Sequence, residues 1–272
     1  MRLEFGSKVL VMGILNVTPD SFSDGGHFFN NSNIAAQIDN MVESGADIID
    51  VGGESTRPFA EPVSIEDELA RVLPAIRLIR QRSTSIPISI DTTKAEVARK
   101  ALDAGANIIN DISALRFDEN MISLVRETDV PVIIMHMQGT PSDMQVDPHY
   151  DDVVLDIKDF FRERLAWAAE NGVSGKRFVI DPGIGFGKTI EHNLSILKRV
   201  AEFSELGCPV IIGHSRKAFI GKLLGTEVDK RDVATAAVSA LCAMKGVSIL
   251  RVHDVKKTVE AVRLSEAINN AP

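Results

Sequence analysis

Asp181 ends a short apolar run, Val179-Ile-Asp181, and is followed by Pro-Gly-Ile-Gly-Phe-Gly and then Lys188. A carboxylate taken out of water is costly unless donors meet it, so an acid at the tip of an apolar strand needs a partner. A helix cap or a turn would supply one. The same arrangement recurs, however, at Asp50, Asp91 and Asn110, each directly after an isoleucine. Cationic and hydroxyl groups gather later in the chain, in Gly213-His-Ser-Arg-Lys217, which leads into a helical pattern, and in Arg251-Val-His253. Paired acids and amides read a flat heterocycle whose edge carries adjacent N–H donors and ring acceptors. Ser, Lys and Arg at the start of a helix suit an anion. A polar heterocycle beside an anionic leaving group points to transfer chemistry at an activated carbon.

These residues must be carried to one place by the elements around them. Apolar, β-branched runs occur at 9–15, 47–51, 86–90, 107–109, 131–135, 178–180, 209–212 and 248–252. Helical patterns alternate with them near 33–45, 64–82, 94–104, 118–128, 151–171, 189–206, 229–245 and 256–269. Ser64-Ile-Glu-Asp opens the second helix with an N-cap and first-turn acids. Gly45, Gly105, Gly172, Gly207 and Gly246 close helices just before the next strand, as left-handed C-caps do. Strands apolar on both faces and separated by helices make a parallel sheet covered by helices. Eight such units with no interrupting linker predict an α/β fold, a closed (β/α)8 TIM barrel forming one domain over 1–272, with a short N-terminal hairpin from residues 2–6. The Gly-rich dinucleotide turn of a doubly wound sheet is missing after the first strand.

In such a barrel, functional groups lie at the C-terminal strand ends, and the loops after strands 7 and 8 commonly hold phosphate. The strand ends here are Asn16, Asp50, Asp91, Asn110, His136, Asp181, His214 with Ser215, and Arg251 with His253. Two long polar loops, 16–27 and 52–59, combine Gly hinges with Phe22, Arg57 and Pro58 and have the length of lids.

Composition narrows the partners. The net charge of −8, without a block of like charge, argues against nucleic acid. No apolar run approaches the roughly 18 residues of a membrane span, and the N-terminal residues lack a signal h-region, so the cytoplasm is the expected compartment. Cys208 and Cys242 have no metal-ligand spacing and read as reduced core residues. Gly183–Thr189 is one residue short of a P-loop. His136, His214 and His253 could suggest zinc, but a barrel metallohydrolase would place a His-x-His pair where this chain has Asn16-Val-Thr18.

With these motifs in view, the chain resembles the dihydropteroate synthase family over nearly its full length. The resemblance rests on Asn16-Val-Thr-Pro-Asp-Ser-Phe-Ser-Asp-Gly-Gly26, Asp50-Val-Gly-Gly-Glu-Ser-Thr-Arg-Pro58, Ile90-Asp-Thr92, Asn110-Asp-Ile112, Asp181 to Lys188, Gly213 to Lys217 and Arg251-Val-His253. It implies condensation of 6-hydroxymethyl-7,8-dihydropterin diphosphate with p-aminobenzoate, giving 7,8-dihydropteroate and diphosphate with Mg²⁺ assistance. It further implies a pterin diphosphate site of Asn16, Thr56, Asp91, Asn110, Met135, Asp181, Phe186, Gly213, Lys217, Arg251 and His253. Phe22, Thr56, Arg57, Pro58, Phe186 and Ser215 would meet p-aminobenzoate. Asp91, Lys217, Arg251 and His253 are the implied catalytic set, Asn16 the implied magnesium ligand, and a homodimer the implied assembly. Phe59 and Ala218 depart from the family pattern and bear on the p-aminobenzoate side. A corrinoid-linked, pterin-binding methyltransferase on the same barrel is the alternative, and a non-catalytic pterin-binding barrel a further one; the lid motifs favour the synthase.

Overall fold

The structure is a computed structural model that describes residues 5–6, 8–18, 31–55, 62–141 and 143–272. Eight strands alternate with helices: β1 (Leu10–Asn16), α1 (Asn31–Glu43), β2 (Ile48–Gly52), α2 (Ile65–Arg82), β3 (Ile88–Asp91), α3 (Ala95–Asp103), β4 (Ile108–Asp111), α4 (Met121–Glu127) and β5 (Val132–Met135) form the first part. The second part runs α5 (Val153–Glu170), β6 (Phe178–Asp181), α6 (Ile190–Lys198), β7 (Ile211–Ile212), α7 (Ala218–Leu224), α8 (Asp232–Met244), β8 (Ile249–Val252) and α9 (Val255–Asn269). All pairings are parallel, in the order β6-β5-β4-β3-β2-β1-β8-β7. A bridge between Ile180 and Val210, with Ile180 N–H donating to Pro209 O at 3.0 Å, brings the two ends of the sheet together. The expected (β/α)8 barrel is what forms.

Strand periodicity explains why the polar residues follow isoleucine. Successive side chains point to opposite faces. Ile49, Ile90, Ile109 and Ile180 face outward and join the large core between strands and helices. The inward positions begin with a plug of Leu10, Met12, Ile48, Ile108, Ile133, Val179, Ile211 and Ile249 at the lower end of the barrel, with Phe5 packed against it. Two residues further along each strand, the same inward row reaches Asp50, Asn110, Met135, Asp181, Gly213 and Arg251. Register keeps them adjacent: Asp91 pairs with both Gly52 and Asn110, and Met135 with Asp181. An apolar floor thus leads to a largely polar mouth, with Met135 and Gly213 as its apolar stretches.

Local signals held where their chemistry was self-contained. Ser64 Oγ accepts from Asp67 N–H at 3.0 Å and caps α2. The five glycines expected as C-caps all have positive φ. Two helices differ from expectation. The pattern over 189–206 breaks at Arg199 into α6 and a 3-10 segment, since Arg199 turns to bind Asp152 and Glu202. Residues 228–230 form a separate 3-10 turn, so α8 begins only at Asp232. Of the proposed N-terminal hairpin, residues 1–4 lie outside the described residues. No helix among those described is long and apolar enough to cross a membrane.

Candidate active site

The mouth is built around Arg251. From β8 its Nε donates to Asp50 Oδ2 on β2, and a terminal nitrogen donates to Asp91 Oδ2 on β3, both at 2.6 Å. Asn110 Nδ2 on β4 lies 3.3 and 3.4 Å from the Asp50 oxygens. Asp50 is fully buried and Asn110 nearly so, whereas Asp91 and Arg251 keep a margin of exposure. Burial pushes the Asp91 carboxyl up to about 7, against the pull of Arg251. Burial also opposes the charge on Arg251, but Asp50 and Asp91 together more than restore it.

Across the mouth, Asp181 is fixed by its own turn: Gly183 N–H donates to Asp181 Oδ1 at 2.8 Å. That turn needs a glycine. Gly183 has φ +73°, and a Cβ there would stand 2.0 Å from the His136 carbonyl oxygen. Burial raises the Asp181 carboxyl, while the Gly183 N–H, Lys217 and Arg251 pull it down. The same loop carries Phe186, whose ring centroid lies 4.1 Å from Lys217 Nζ. Lys217 crosses the loop at Gly185, where a side chain would meet its Cδ at 3.2 Å. Burial and then Arg251 lower the Lys217 ammonium to about 8, with Asp181 and Asp91 opposing. Phe186 packs with Ile112, Met135, Met137 and Met144 into an apolar shelf beside these charges. A polar edge reader next to an apolar shelf is the geometry a flat bicyclic ring requires.

The anion side is narrower than the sequence suggested. Ser215 Oγ lies 3.0 Å from His253 Nδ1 and accepts from His253 N–H at 3.2 Å. Burial, then Arg216, Arg251 and Lys217, hold His253 down at about 3, so it is a neutral imidazole and not part of a cationic cluster. Arg216 is turned away: with φ +57° it pairs with Asp232 at 2.7 and 2.9 Å and shapes the loop from behind. His214, counted among the strand ends, is fully buried, with its Nε2 3.0 Å from both Thr235 O and Ser239 Oγ on α8. It joins the loop to α8 and does not face the mouth. His136 is also withdrawn, 3.0 Å from Lys188 Nζ through Nδ1. The three histidines therefore serve three different environments. The Gly183–Thr189 loop is no phosphate cradle either, because Gly183 N–H and Gly185 N–H are taken by Asp181 and Asn193.

Asn16 ends β1 at the rim; its Oδ1 and the Asp91 Oδ2 flank Gly52, 3.5 and 3.7 Å from where a Cβ would stand. Both are hard oxygen donors. Among the described residues no group of three His, Cys, Asp or Glu could hold a metal alone. This donor set fits a magnesium ion that takes most of its ligands from a phosphate-bearing substrate and water. Phe22, Thr56, Arg57, Pro58 and Phe59 lie outside the described residues. Ala218 is exposed at the start of α7. Asp50, read from the sequence as a strand-end acid, and Lys188, read as the end of the Asp181 to Lys188 motif, stand at the site although the resemblance did not place them in the binding set. An inward acid two residues beyond the plug residue Ile48 was the available signal for Asp50.

Acids, an amide and two cations on one barrel rim, beside an apolar shelf, define a (β/α)8 enzyme that binds a polar heterocycle with an attached anion. A family described as pterin binding enzyme matches residues 12–253. The dihydropteroate synthase of Escherichia coli (strain K12) is 47% identical over 261 residues, covering 96% of this chain and 92% of that protein. Two solved structures of Xanthomonas albilineans dihydropteroate synthase superpose closely. The one with 4-aminobenzoic acid has TM-score 0.91, 44% identity and coverage of 98% of this chain and 95% of that chain. The one in complex with 7,8-dihydropteroate has TM-score 0.88, 41% identity and the same coverages. The chain belongs to the pterin-binding enzymes, as a member of the dihydropteroate synthase family.

Proposed function

We propose that this chain joins 6-hydroxymethyl-7,8-dihydropterin diphosphate to p-aminobenzoate, releasing diphosphate and forming 7,8-dihydropteroate. The observation that carries this is the convergence of Asp91, Asn110, Asp181, Lys217 and Arg251 on one mouth. Asp181 and Asn110 grip the amino and ring N–H edge of the pterin, and Lys217 reaches its carbonyl and N5. Met135, Phe186 and Gly213 shape the slot, and the planar Arg251 guanidinium lies against the ring face. The exocyclic C–O bond breaks first, and its electron pair leaves with diphosphate. The ring-stabilised cation is then attacked by the aromatic amine, which loses a proton. An ionised Asp91 favours the positive ring, while Arg251 and His253 hold the leaving group. With the Ser215 hydroxyl assigned as donor to Nδ1, the His253 proton would lie on Nε2, where the neutral ring serves as a donor. A magnesium ion held by Asn16 and the diphosphate would neutralise charge on the leaving group. Phe22, Thr56, Arg57 and Pro58, with Phe186 and Ser215, are the proposed contacts to p-aminobenzoate.

A second copy of the chain is the proposed partner, in the cytoplasm. Leu223, Leu224 and Leu241 on α7 and α8 are more than half exposed and edge an apolar groove with Leu194, Leu197 and Val238. Sedimentation at micromolar concentration should give a dimer; a monomer throughout would contradict it. The activity is tested by diphosphate release. Release requires both substrates in this reading. Release that ignores p-aminobenzoate, or methyl transfer in its place, would overturn it.

A further inference from the structure

Lys188 is a buried cation beside the site that the reaction does not use. It is 4% exposed, and its ammonium is met by uncharged acceptors: the Phe186 carbonyl at 2.9 Å, His136 Nδ1 at 3.0 Å and the His136 carbonyl at 3.4 Å. Burial drives this amine down to about 7, with Asp181 opposing and Lys217 adding to the shift. A buried cation without a contacting acid is a standing cost. A methionine, one atom shorter, would fill most of the space without it. What the ammonium supplies is a tie between three acceptors on two chain segments: the end of β5 and the loop that follows β6.

That loop is also held at Gly185 and Gly187. Tyr150 Oη donates to the Gly187 carbonyl at 2.7 Å, Gln145 Nε2 to the Gly185 carbonyl at 2.6 Å, and Gly185 N–H to Asn193 Oδ1 at 2.7 Å. His136 is itself fixed, its ring set edge-on to Phe160 at 4.9 Å. Burial, with Lys188 and Arg116 nearby, keeps that imidazole neutral and able to accept. Lys188 Nζ donates to the carbonyl of Phe186, the residue whose ring faces Lys217 at 4.1 Å.

We infer that Lys188 is a positioning residue for the pterin pocket: by tying the Phe186 carbonyl to the His136 end of β5, it sets the place of the Phe186 ring and, through their 4.1 Å contact, of the Lys217 ammonium that meets the bicyclic ring. This rests on the pterin reading of the mouth. Lys188 does not touch the ring; it acts through Phe186, and the coupling is measurable.

The test is a double-mutant cycle read by calorimetric binding of 6-hydroxymethyl-7,8-dihydropterin diphosphate, with thermal melts to establish that each variant is folded. Lys188→Met should weaken binding on the order of tenfold. In a Phe186→Leu background, the same change should add little, because the ring it positions has gone. Fully additive losses, or unchanged affinity in Lys188→Met, would overturn the role. Should Lys188→Met fail to fold, Lys188→Gln keeps an amide donor of similar reach and carries the same cycle; a smaller loss, still absent with Phe186→Leu, is expected, and additivity again overturns it. A wild-type chain that does not bind the pterin removes the functional reading and this role with it. Wild-type binding with unaffected variants removes the role alone.

Discussion

Arg251 and Asp91 face each other across the barrel mouth at 2.6 Å, one from the last strand and one from the third. The pair is anchored from below, since Arg251 Nε also binds the fully buried Asp50. Asp91 can therefore exchange Arg251 for a positively charged ring while the guanidinium keeps a partner. In the proposed reaction this would give the carboxylate a part distinct from a part in binding.

Replacing Asp91 by Asn retains the shape and removes the charge. Asp91→Asn should bind the pterin diphosphate with little change, whereas kcat falls by roughly 10²–10³-fold, the usual loss for one electrostatic group at a developing charge. Calorimetry and steady-state kinetics on the same preparation separate the two. Turnover like wild type would remove the electrostatic role.

The pH profile follows from the same groups. Burial lifts Asp91 to about 7, and its ionised form is the active one, so the rate rises as pH increases through that value. Burial lowers Lys217 to about 8, and its ammonium is the form that meets the pterin, so the rate falls above it. A bell-shaped kcat/KM with limbs near these values is expected. The acid limb should vanish from the residual activity of Asp91→Asn; a limb that persists there belongs to another group.

Gly183 gives a structural prediction. With φ +73° and the His136 carbonyl 2.0 Å from any added Cβ, Gly183→Ala must move the turn that presents N–H to Asp181. A cost of about 3 kcal/mol corresponds to a Tm lowered by about 5 °C in a chain of this size. Gly175→Ala, where a Cβ would meet nothing within 4 Å, is the matched control and should melt within about 2 °C of wild type. Equal melting of both would refute the steric account.

Much of this was legible in one dimension because it is local. Asp50, Asp91, Asn110 and Asp181 each follow an isoleucine at the end of an apolar run, which marks the strand ends, and the Ser64 cap and Gly C-caps mark helix ends. What was not legible depends on partners distant in sequence. Asp50 reads as a strand-end acid, but its partner Arg251 lies 201 residues away and only the fold brings the two together. His214 and His136 share the strand-end position with true rim residues, but α8 and Lys188 draw them away from the mouth. His253 sits in a cation-rich motif, yet burial and those very cations keep it neutral. The sign of a side chain's charge, unlike its place on a strand, is set by neighbours that only the fold assembles.

The central claim is that one rim grips the pterin ring, with Asp181 as its main anchor. Calorimetric titration of wild type and Asp181→Ala with 6-hydroxymethyl-7,8-dihydropterin diphosphate tests it most directly. The account predicts binding by wild type and none measurable by a folded Asp181→Ala. Retained affinity in that variant would place the ring elsewhere and contradict the account.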